Sequence, residues 1–457
     1  MFSIFGICGL VFFILARPQE YFTVLQKLPM LYIFVAAAAG GFALDVRLRL
    51  LELRGTPILK LALVFLGWTT LCNAMVASNQ LMHNSIELAI LFVVFATIAH
   101  AVQRLRTLRV VAATLMITCV GLSALGVHQG LQDRTCIALD EEHGGEGTPD
   151  GRPCEMADDC FGDDAEPGVE YRCEKGGLLD TFSIEDRVRY RGELQDPNEL
   201  GLTICIGGFS LLVAFANQRR RWGTIVVAVG GSLLVFWCVL ATQSRGAIIV
   251  FALIGAVYFA RRFGVAGLIA GAALAAPVLA VAGRSGEKAD QSTQLRYEAW
   301  ASGLNMWKHS PIFGVGQRQF IEHHYLTAHN SYVLSLAEVG LPGMVLFISM
   351  LVLTVKTLVV GVRELDRVPG ARPAQAWALG ILASFVGMMF SIHTLSFCWH
   401  SVLWIFLGLG GAWVSVVRTH KPDFEVKLTL RDFAIITAGC LAYAVVVLPL
   451  YLRSKGE

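Results

Sequence analysis

The chain contains one apolar segment after another, each long enough to cross a lipid bilayer, and this pattern constrains its fold more than any other feature. A transmembrane helix needs about 20 predominantly apolar residues. Hydrophobic residues make up 55% of the sequence and charged residues only 16%, whereas a typical soluble domain has about 25% charged residues. The sequence therefore predicts an all-α, polytopic bundle of membrane helices.

The apolar pattern predicts about thirteen spans. Twelve is nearly as well supported, because the first two segments are short or weakly bounded and the last is compatible with an interfacial helix. The predicted spans are 2–16, 29–44, 57–76, 84–102, 110–128, 198–217, 222–241, 246–260, 263–282, 330–360, 375–396, 398–418 and 432–452. The first run leads straight into further spans without a small-residue cleavage site, so we do not expect a secretory signal peptide.

Two long loops, about 129–197 and 283–329, interrupt the spans. Together with the spans, they divide the chain into five predicted regions. These are N-terminal transmembrane helices (1–128), an acidic insertion with four cysteines (129–186), central transmembrane helices with arginine-bearing loops (187–282), a second large loop with candidate functional residues (283–329) and C-terminal transmembrane helices (330–457).

Basic residues are concentrated in alternate loops, and this asymmetry predicts the orientation. Loops rich in Lys and Arg face the cytoplasm. The rich set comprises Arg47, Arg49, Arg54, Arg104, Arg106, Arg109, Arg219, Arg220, Arg221, Arg261, Arg262, Arg363, Arg367, Arg372, Arg418, Lys421, Lys427 and Arg431. The opposite short loops hold only Arg17, Lys27 and Arg245. Both long loops are therefore predicted to face away from the cytoplasm.

The first long loop carries the only cysteines outside the apolar spans. Cys136, Cys154, Cys160 and Cys173 lie on the predicted oxidising side, where we expect two disulfides with three possible connectivities. Zinc is the alternative, but the spacing lacks the paired CxxC pattern. The loop is also acidic, as shown by Asp140, Glu141, Glu142, Asp158, Asp159, Asp163, Asp164, Glu166, Glu170 and Glu174. No EF-hand pattern is present, so a solvated insertion is favoured over a calcium site.

Three arginines follow the insertion within five residues: Arg187, Arg189 and Arg191. They precede a span on the side away from the basic loops. Contact with lipid phosphates explains Arg187 and Arg189 as well as contact with a substrate does. Arg191 is favoured as a functional residue, because Gly192 permits a close backbone approach beside it.

Arg245 lies in a minimal loop, 242–246, between two apolar helices. Such an arginine must reach the interface, pair with an anion or point into a cavity. Its planar guanidinium suits phosphate oxygens, and the start of the next helix favours an anion. We therefore favour anion binding over a passive anchor. The earlier segment 196–198 also marks a helix start, with Pro197 in the first turn and Asp196 or Asn198 as the cap.

The second long loop contains an amphipathic segment, 293–309, that includes Arg296 and Tyr297. An interfacial helix lying on the bilayer explains this segment and is compatible with a functional Arg296. The following segment, Pro311 to Gly316, has two glycines that allow a tight turn back toward the membrane. Arg318, later in the same loop, is predicted to contact the substrate together with Tyr297.

His329 and Asn330 stand at the entrance of a long apolar segment. Imidazole accepts a hydroxyl proton near neutral pH, so His329 is a candidate general base. A histidine hydrogen-bonded at the interface is the structural alternative. A metal site with His323 and His324 is disfavoured, because neither an HExxH pattern nor a third ligand at helical spacing is present.

The apolar segment after His329 carries a carboxylate and a predicted break. Glu338 lies about 13 Å deeper by helical rise, so we expect a buried structural partner rather than the base. Pro342 removes a helix hydrogen bond, and Gly340 and Gly343 ease a kink. Ionisable groups at membrane depth are functional candidates.

Together these features resemble the O-antigen ligase and polymerase superfamily of bacterial envelope proteins over roughly residues 185–420. The most specific part is His329-Asn330, nine intervening residues, then Gly340-x-x-Gly343. The turn at Ser244-Arg245-Gly246 is similar to the family's arginine before a span. The segment from Arg296 to Gly316 is similar to its large periplasmic loop.

The resemblance implies transfer of a glycan from an undecaprenyl diphosphate carrier to an acceptor hydroxyl, without metal or cofactor, at the periplasmic face of the bacterial inner membrane. His329 would deprotonate the acceptor, while Arg191, Arg245 and Arg296 would hold the departing diphosphate. Side chains expected to contact the substrate are Asn330, Arg189, Arg318 and Tyr297. The break at Pro342 would open a lateral path for the polyprenyl chain.

Several functions remain open from the sequence. The acceptor is lipid A core in a ligase, another repeat unit in a polysaccharide polymerase, or a protein in an O-oligosaccharyltransferase. A lipid-linked glycan transporter is a more remote alternative, since it would predict internal repeats and charges near the midplane. The charged candidates instead gather at one face, which favours a transferase.

Overall fold

In the computed structural model, residues 1–140, 146–162, 165–219, 221–281 and 287–456 are described. Within these ranges, eleven helices are long and apolar enough to cross a membrane, and a shorter apolar helix precedes them. The predicted all-α polytopic bundle is therefore confirmed. Arg220, Glu141, Glu142, Asp163 and Asp164, together with residues 282–286 at the start of the second long loop, lie outside the described residues.

The helices follow the predicted apolar segments closely. They are α1 (Phe2–Ala16), α2 (Thr23–Gln26), α3 (Met30–Arg47), α4 (Pro57–Val76), α5 (Leu81–Ala101), α6 (Leu105–Leu131), α7 (Pro197–Thr203), α8 (Ser210–Arg219), α9 (Trp222–Ala241), α10 (Arg245–Val281), α11 (Glu287–His309), α12 (Phe320–His323), α13 (Ser331–Leu365), α14 (Arg372–Ser391), α15 (Ser401–Arg418), α16 (Leu430–Ala442) and α17 (Leu448–Arg453). Short π-helical segments join α7 to α8 and α16 to α17.

Two predicted spans, 246–260 and 263–282, fall in one helical segment, α10, which turns at Gly264. This glycine has φ 63° and ψ −143°, a conformation open to glycine but costly for other residues. The turn brings Gly267 so close to Phe259 that a Cβ on the glycine would overlap the phenylalanine carbonyl. The boundary between the two predicted spans therefore coincides with a real change of direction.

The insertion forms a three-stranded antiparallel sheet in the order β2-β1-β3, with β1 at Arg134–Asp140, β2 at Glu146–Pro153 and β3 at Glu170–Lys175. As predicted, its four cysteines form two disulfides, Cys136–Cys160 and Cys154–Cys173. Three of these cysteines are also the one cluster of metal-ligand spacing among the described residues, but their sulfurs are bonded in the disulfides. The structure therefore favours the disulfide prediction over zinc.

The core of the bundle is built around α13, α14 and α15. In the most apolar 18-residue stretch of α15, 94% of the residues are buried inside the protein, compared with 22% in the corresponding stretch of α9. Large aromatic side chains fill this core, among them Trp377, Trp404 and Trp413, each no more than 1% exposed. The central helices are thus shielded by protein, while α9 and the Leu430–Arg453 helix present most of their surface outward.

The long helix α13 is interrupted at Gly340, which has φ 67° and ψ −177°. The segment Pro311 to Gly316 fills this interruption. The amide of Val315 donates to the carbonyl of Ala337, and the amide of Gly316 donates to the carbonyl of Glu338, both at 2.9 Å.

Two further bonds complete the pairing around the interruption. The amide of Leu341 donates to the carbonyl of Pro311 at 2.9 Å, and the indole of Trp68 donates to the carbonyl of Val339 at 2.9 Å. Backbone groups freed inside a membrane protein must be satisfied by protein or water. The loop is therefore a structural part of the break, and it ties α13 to the segment that leads to His329.

Candidate functional site

A small polar cavity of about 100 Å³ lies between the starts of α7 and α10 and the middle of α11. Three guanidinium groups line it, from Arg187, Arg245 and Arg296. The other lining residues are Asn198, Gln243, Gly246, Ser292 and Thr293. Within the lining there is no carboxylate, so the cavity is suited to an anion.

The first arginine, Arg187, is held by the structure around it. Its guanidinium donates to the carbonyl of Thr242 at 3.0 Å and to the side-chain oxygen of Asn198 at 3.1 Å. The same Asn198 oxygen accepts a bond from the hydroxyl of Ser244 at 2.7 Å. The Ser244 hydroxyl in turn accepts from the amide of Ala247 at 3.2 Å, which caps the first turn of α10. These bonds connect the starts of α7 and α10 and fix the floor of the cavity.

The surroundings of Arg245 and Arg296 differ from those of Arg187. Within the described part of the chain, neither side chain makes a hydrogen bond or an ion pair with another residue. Arg245 is exposed at the first position of α10, and Arg296 is half-buried in α11. Burial lowers the pKa of Arg296, and the carboxylate of Asp196 opposes this effect. Both guanidiniums therefore have their donors available for a ligand in the cavity.

His329 lies beside this group of charges. Burial is the main cause that lowers its pKa from the usual 6.5, the positive charge of Arg296 lowers it further, and the negative charge of Asp196 opposes both. The backbone of His329 has φ 44°, an unusual conformation for a residue other than glycine. Burial and the charge of Arg296 therefore both favour the neutral form of the imidazole.

Asp196 connects the histidine to the floor of the cavity. Its carboxylate accepts from the amide and from the side chain of Asn198, both at 2.7 Å, and so caps the start of α7. The same carboxylate acts electrostatically on both Arg296 and His329. One residue thus holds a helix start and counterbalances the positive charges around the imidazole.

Asn330 begins α13 directly after His329. Its side-chain oxygen accepts from the amides of Tyr332 at 2.9 Å and Val333 at 3.1 Å, and the residue is 1% exposed. The amide of Ser331 donates to the carbonyl of Ile392 at 2.7 Å. These bonds fix the chain on the C-terminal side of His329, so Asn330 positions the histidine and presents little surface to a ligand.

The remaining arginines of the prediction lie apart from this cavity. Arg191 donates to the carbonyl of Asp180 at 2.9 Å. Arg189 donates to the carbonyl of Phe182 at 3.1 Å, and its guanidinium stacks 4.2 Å from the centre of that ring. Both contacts are with the insertion, and neither residue lines the arginine cavity.

Arg318 and Tyr297 also have protein partners. Arg318 forms an ion pair with Glu87 at 2.6 Å. The hydroxyl of Tyr297 is 3.2 Å from that of Tyr451, and its ring packs against Trp300. Arg318 lines a second cavity, of about 440 Å³, whereas Tyr297 packs on the side of α11 that faces the end of the chain.

Glu338 lies in the wall of this second cavity and is 1% exposed. One carboxylate oxygen accepts from the indole of Trp399 at 2.6 Å, and the other accepts from the amide of Phe320 at 3.3 Å. Glu338 thus links α13 to the loop before it. Gly340, next to the loop carbonyls, has no room for a Cβ, while Pro342 and Gly343 follow the interruption inside α13.

The structure adds residues to the site that the sequence did not select. Arg187 lines the cavity, although its position before a span also suits contact with lipid phosphate. Asp196 and Asn198 were expected only as helix caps, and Ser292 and Thr293 were not singled out. The sequence does show an Arg-rich segment shortly before a helix start, which indicates an anion site nearby. It does not show which of the arginines faces the cavity.

One part of the chain matches a known protein family. Residues 230–348 match the family described as O-antigen ligase, which is about a quarter of the chain. The match confirms the resemblance to the O-antigen ligase and polymerase superfamily, and it includes Arg245, Arg296, His329 and Gly340. No curated protein matches the chain. The helices and the match together point to a multi-pass membrane protein in which residues 230–348, similar to the O-antigen ligase family, include most of the residues that line the arginine cavity.

Proposed function

We propose that the protein is an integral-membrane glycosyltransferase that moves a glycan from a polyprenyl diphosphate carrier to an acceptor hydroxyl. The family match supports an enzyme of the O-antigen ligase and polymerase type. The observation that carries the proposal is a cavity lined by three guanidiniums, one of which, Arg296, acts electrostatically on the imidazole of His329.

In the proposed reaction, His329 takes the proton from the acceptor hydroxyl. The hydroxyl oxygen attacks the anomeric carbon of the carrier-linked sugar, and a new glycosidic bond forms as the bond from that carbon to the diphosphate oxygen breaks. The electron pair of the broken bond stays with the diphosphate, and the proton on His329 is later released to solvent. Each of these roles matches a group in the site.

Arg187, Arg245 and Arg296 bind the diphosphate. Guanidinium donors suit phosphate oxygens because they form paired hydrogen bonds in one plane. Charge on the leaving oxygen grows as the anomeric bond breaks, so donors placed there in advance favour the transition state over the bound substrate. Arg187 takes the place that the sequence assigned to Arg191, because Arg187 lines the cavity and Arg191 contacts the insertion.

The arginine distribution supports a site on the periplasmic side of the bacterial inner membrane. Arg245 and His329 stand at helix starts, and Arg187 bonds to Thr242 at the end of α9; by the charge distribution, these helix ends lie opposite the Arg-rich loops that mark the cytoplasmic face. A glycan attached to a polyprenyl carrier reaches such a site by lateral movement in the outer leaflet. The lateral path predicted at Pro342 stays a prediction, because residues 311–316 fill the interruption of α13.

A transferase and a transporter are distinguished by the bond that forms. Purified protein in liposomes is supplied with a polyprenyl-diphosphate glycan and an acceptor, either lipid A core, a second carrier-linked glycan or a protein. The proposal expects a new glycosidic bond and free polyprenyl diphosphate without added metal or nucleotide. Movement of the carrier across the bilayer with no glycosidic product would overturn it in favour of transport.

A further inference from the structure

A second cavity with arginines lies at the opposite end of the bundle from the candidate site. It has a volume of about 480 Å³ and lies between the end of α8, the first half of α10, the end of α13 and the start of α14. Arg261, Arg262 and Arg372 line it. These belong to the loops that the charge distribution assigns to the cytoplasmic face, so this cavity has no access to the periplasmic reaction.

Positive charges outnumber negative charges in and around this cavity. The nearby carboxylate of Asp366 is bonded to Arg261 and also accepts from the side chain of Gln375 at 2.7 Å. Within the described residues, Arg262 and Arg372 form no ion pair with a carboxylate, and both are exposed. Two guanidinium charges are therefore left for a ligand.

The start of α14 adds to the positive field. This helix has 20 residues and begins at Arg372, and no capping side chain bonds to its start. Pro373 has no N–H and the amide of Gln375 donates to the carbonyl of Ala371, so the first-turn amides without a capping partner are those of Arg372 and Ala374. Unpaired amides and the helix dipole both favour an anion at such a position. The dipole and the arginines act on the same cavity, since Arg372, Gln375 and Ala376 all line it.

The rest of the lining is apolar and reaches the outer surface of the bundle. Phe259 is 39% exposed and Phe263 is 60% exposed, and both line the cavity with Leu379. The guanidinium of Arg262 lies 5.7 Å from the centre of the Phe263 ring. Exposed aromatic side chains on a membrane helix meet lipid, so a ligand here has its anionic part at the arginines and its apolar part along the helices.

We propose that this cavity binds the head group of one anionic phospholipid of the cytoplasmic leaflet. The phosphate accepts from the side chains of Arg262 and Arg372 and from the backbone amide of Arg372, and the acyl chains lie along Phe259, Phe263 and Leu379. Basic pockets between membrane helices on the cytoplasmic side are suited to such head groups. The lipid joins α10 to α14 at the end of the bundle remote from the site.

The test uses the full-length protein and needs no glycan substrate. Protein is purified in detergent, exchanged into phosphatidylcholine nanodiscs that contain a minority of phosphatidylglycerol, and the retained lipid is identified by native mass spectrometry. Wild type is expected to keep about one phosphatidylglycerol through the exchange. Retention of phosphatidylcholine alone would overturn the proposal without any variant being made.

Variants locate the lipid. The double variant Arg262→Ala/Arg372→Ala is expected to bind phosphatidylglycerol at least roughly tenfold more weakly. The control, Arg106→Ala/Arg431→Ala, removes two exposed arginines of the same face that lie outside the cavity and is expected to bind it like wild type. Equal loss in both double variants would show a general charge effect and contradict the proposed site.

A last experiment distinguishes binding of a phospholipid from binding of a free anion. Inorganic phosphate is added to wild type in phosphatidylcholine alone, and thermal unfolding is followed with phosphatidylglycerol as the comparison. Stabilisation by phosphatidylglycerol but not by phosphate supports a lipid site. Equal stabilisation by millimolar phosphate would mean a simple ion site and would overturn the assignment to a phospholipid.

Discussion

The guanidinium of Arg296 lies near enough to the imidazole of His329 for its charge to lower the pKa of the histidine. Asp196 acts on both groups in the opposite sense. A general base must be neutral to accept a proton, and for His329, the proposed base, the neutral form is favoured by burial and by the same arginine that is proposed to bind the diphosphate. The proposed base and the proposed anion site are therefore electrostatically connected.

This connection predicts a pH dependence. The pKa of His329 is below 6.5, so the base is neutral above its lowered pKa and loses activity only when the pH falls through it. In the variant Arg296→Gln, loss of the positive charge raises that pKa. The acidic limb of kcat/KM should then move to higher pH, whatever happens to the maximal rate.

The matched variant is Asp196→Asn, in which an opposing negative charge is lost while the amide oxygen can still cap α7. The pKa of His329 should fall further and the acidic limb should move to lower pH. Rate profiles between pH 4 and 9, about the working range of a histidine base, compare both variants with wild type. Shifts of the same sign in the two variants would contradict the assignment of the limb to His329.

Arg245 tests the geometry of anion binding. It makes no hydrogen bond or ion pair within the described part of the chain, so its replacement should leave the fold unchanged. Arg245→Ala should lower kcat by about 10²–10³-fold, the effect of losing one donor to a developing charge. Arg245→Lys should recover only part of this loss, because an ammonium does not form paired planar bonds.

The control for Arg245 is Arg106→Lys, an exposed arginine at the other end of the bundle. Expression, unfolding temperature and initial rates are measured for all three variants. Wild-type kcat in Arg245→Lys would show that a positive charge is sufficient at this position and that bidentate binding is not required.

Gly340 tests the interruption of α13. Its φ of 67° and the carbonyl group of Ile312 beside it leave no place for a Cβ. Gly340→Ala should destabilise the protein by about 1–3 kcal/mol. Gly67→Ala is the control, since that helical glycine has nothing within 4 Å of its Cβ position, and it should be neutral or slightly stabilising. Equal unfolding temperatures for the two variants would contradict the packed interruption.

The insertion provides a test of the disulfides. Protein labelled with a membrane-impermeant maleimide in intact cells should show Cys136, Cys154, Cys160 and Cys173 unreactive. The variant Cys160→Ser should make Cys136 reactive while Cys154 and Cys173 stay protected, because the pairs are separate. Labelling of all four in wild type would contradict the pairing. In the chain-entropy model, each disulfide adds about 3 kcal/mol to the free energy of unfolding. The Cys160→Ser variant should therefore be less stable than wild type but should retain its transfer activity.

Much of the fold was predictable because it depends on local composition. Apolar length alone located the spans, and the Gly340 and Pro342 motif predicted a break in α13. The partner of that break was not predictable. The bonds from Val315 to Ala337 and from Gly316 to Glu338 join residues more than twenty positions apart, and no periodicity in the sequence specifies such pairing.

The site was predictable only in part, for a related reason. His329 and Arg245 stand out because charged groups at helix ends in a membrane protein are costly without a role. Among three neighbouring arginines, the sequence favoured Arg191, whereas the structure places Arg187 in the cavity. Strict alternation would place these three arginines on one side of an extended segment. They are separated by tertiary contacts, because Arg187 bonds to Asn198 and Thr242 and Arg191 bonds to Asp180.

The most direct test of the proposed reaction compares His329→Ala with His323→Ala, an exposed histidine six positions earlier in the same loop. Both purified variants receive the polyprenyl-diphosphate glycan with each acceptor, and glycosidic product and released carrier are quantified. His329→Ala should still bind the carrier but form product about 10²–10⁴-fold more slowly, while His323→Ala keeps the wild-type rate. A wild-type rate of product formation in His329→Ala would contradict the central role of this imidazole.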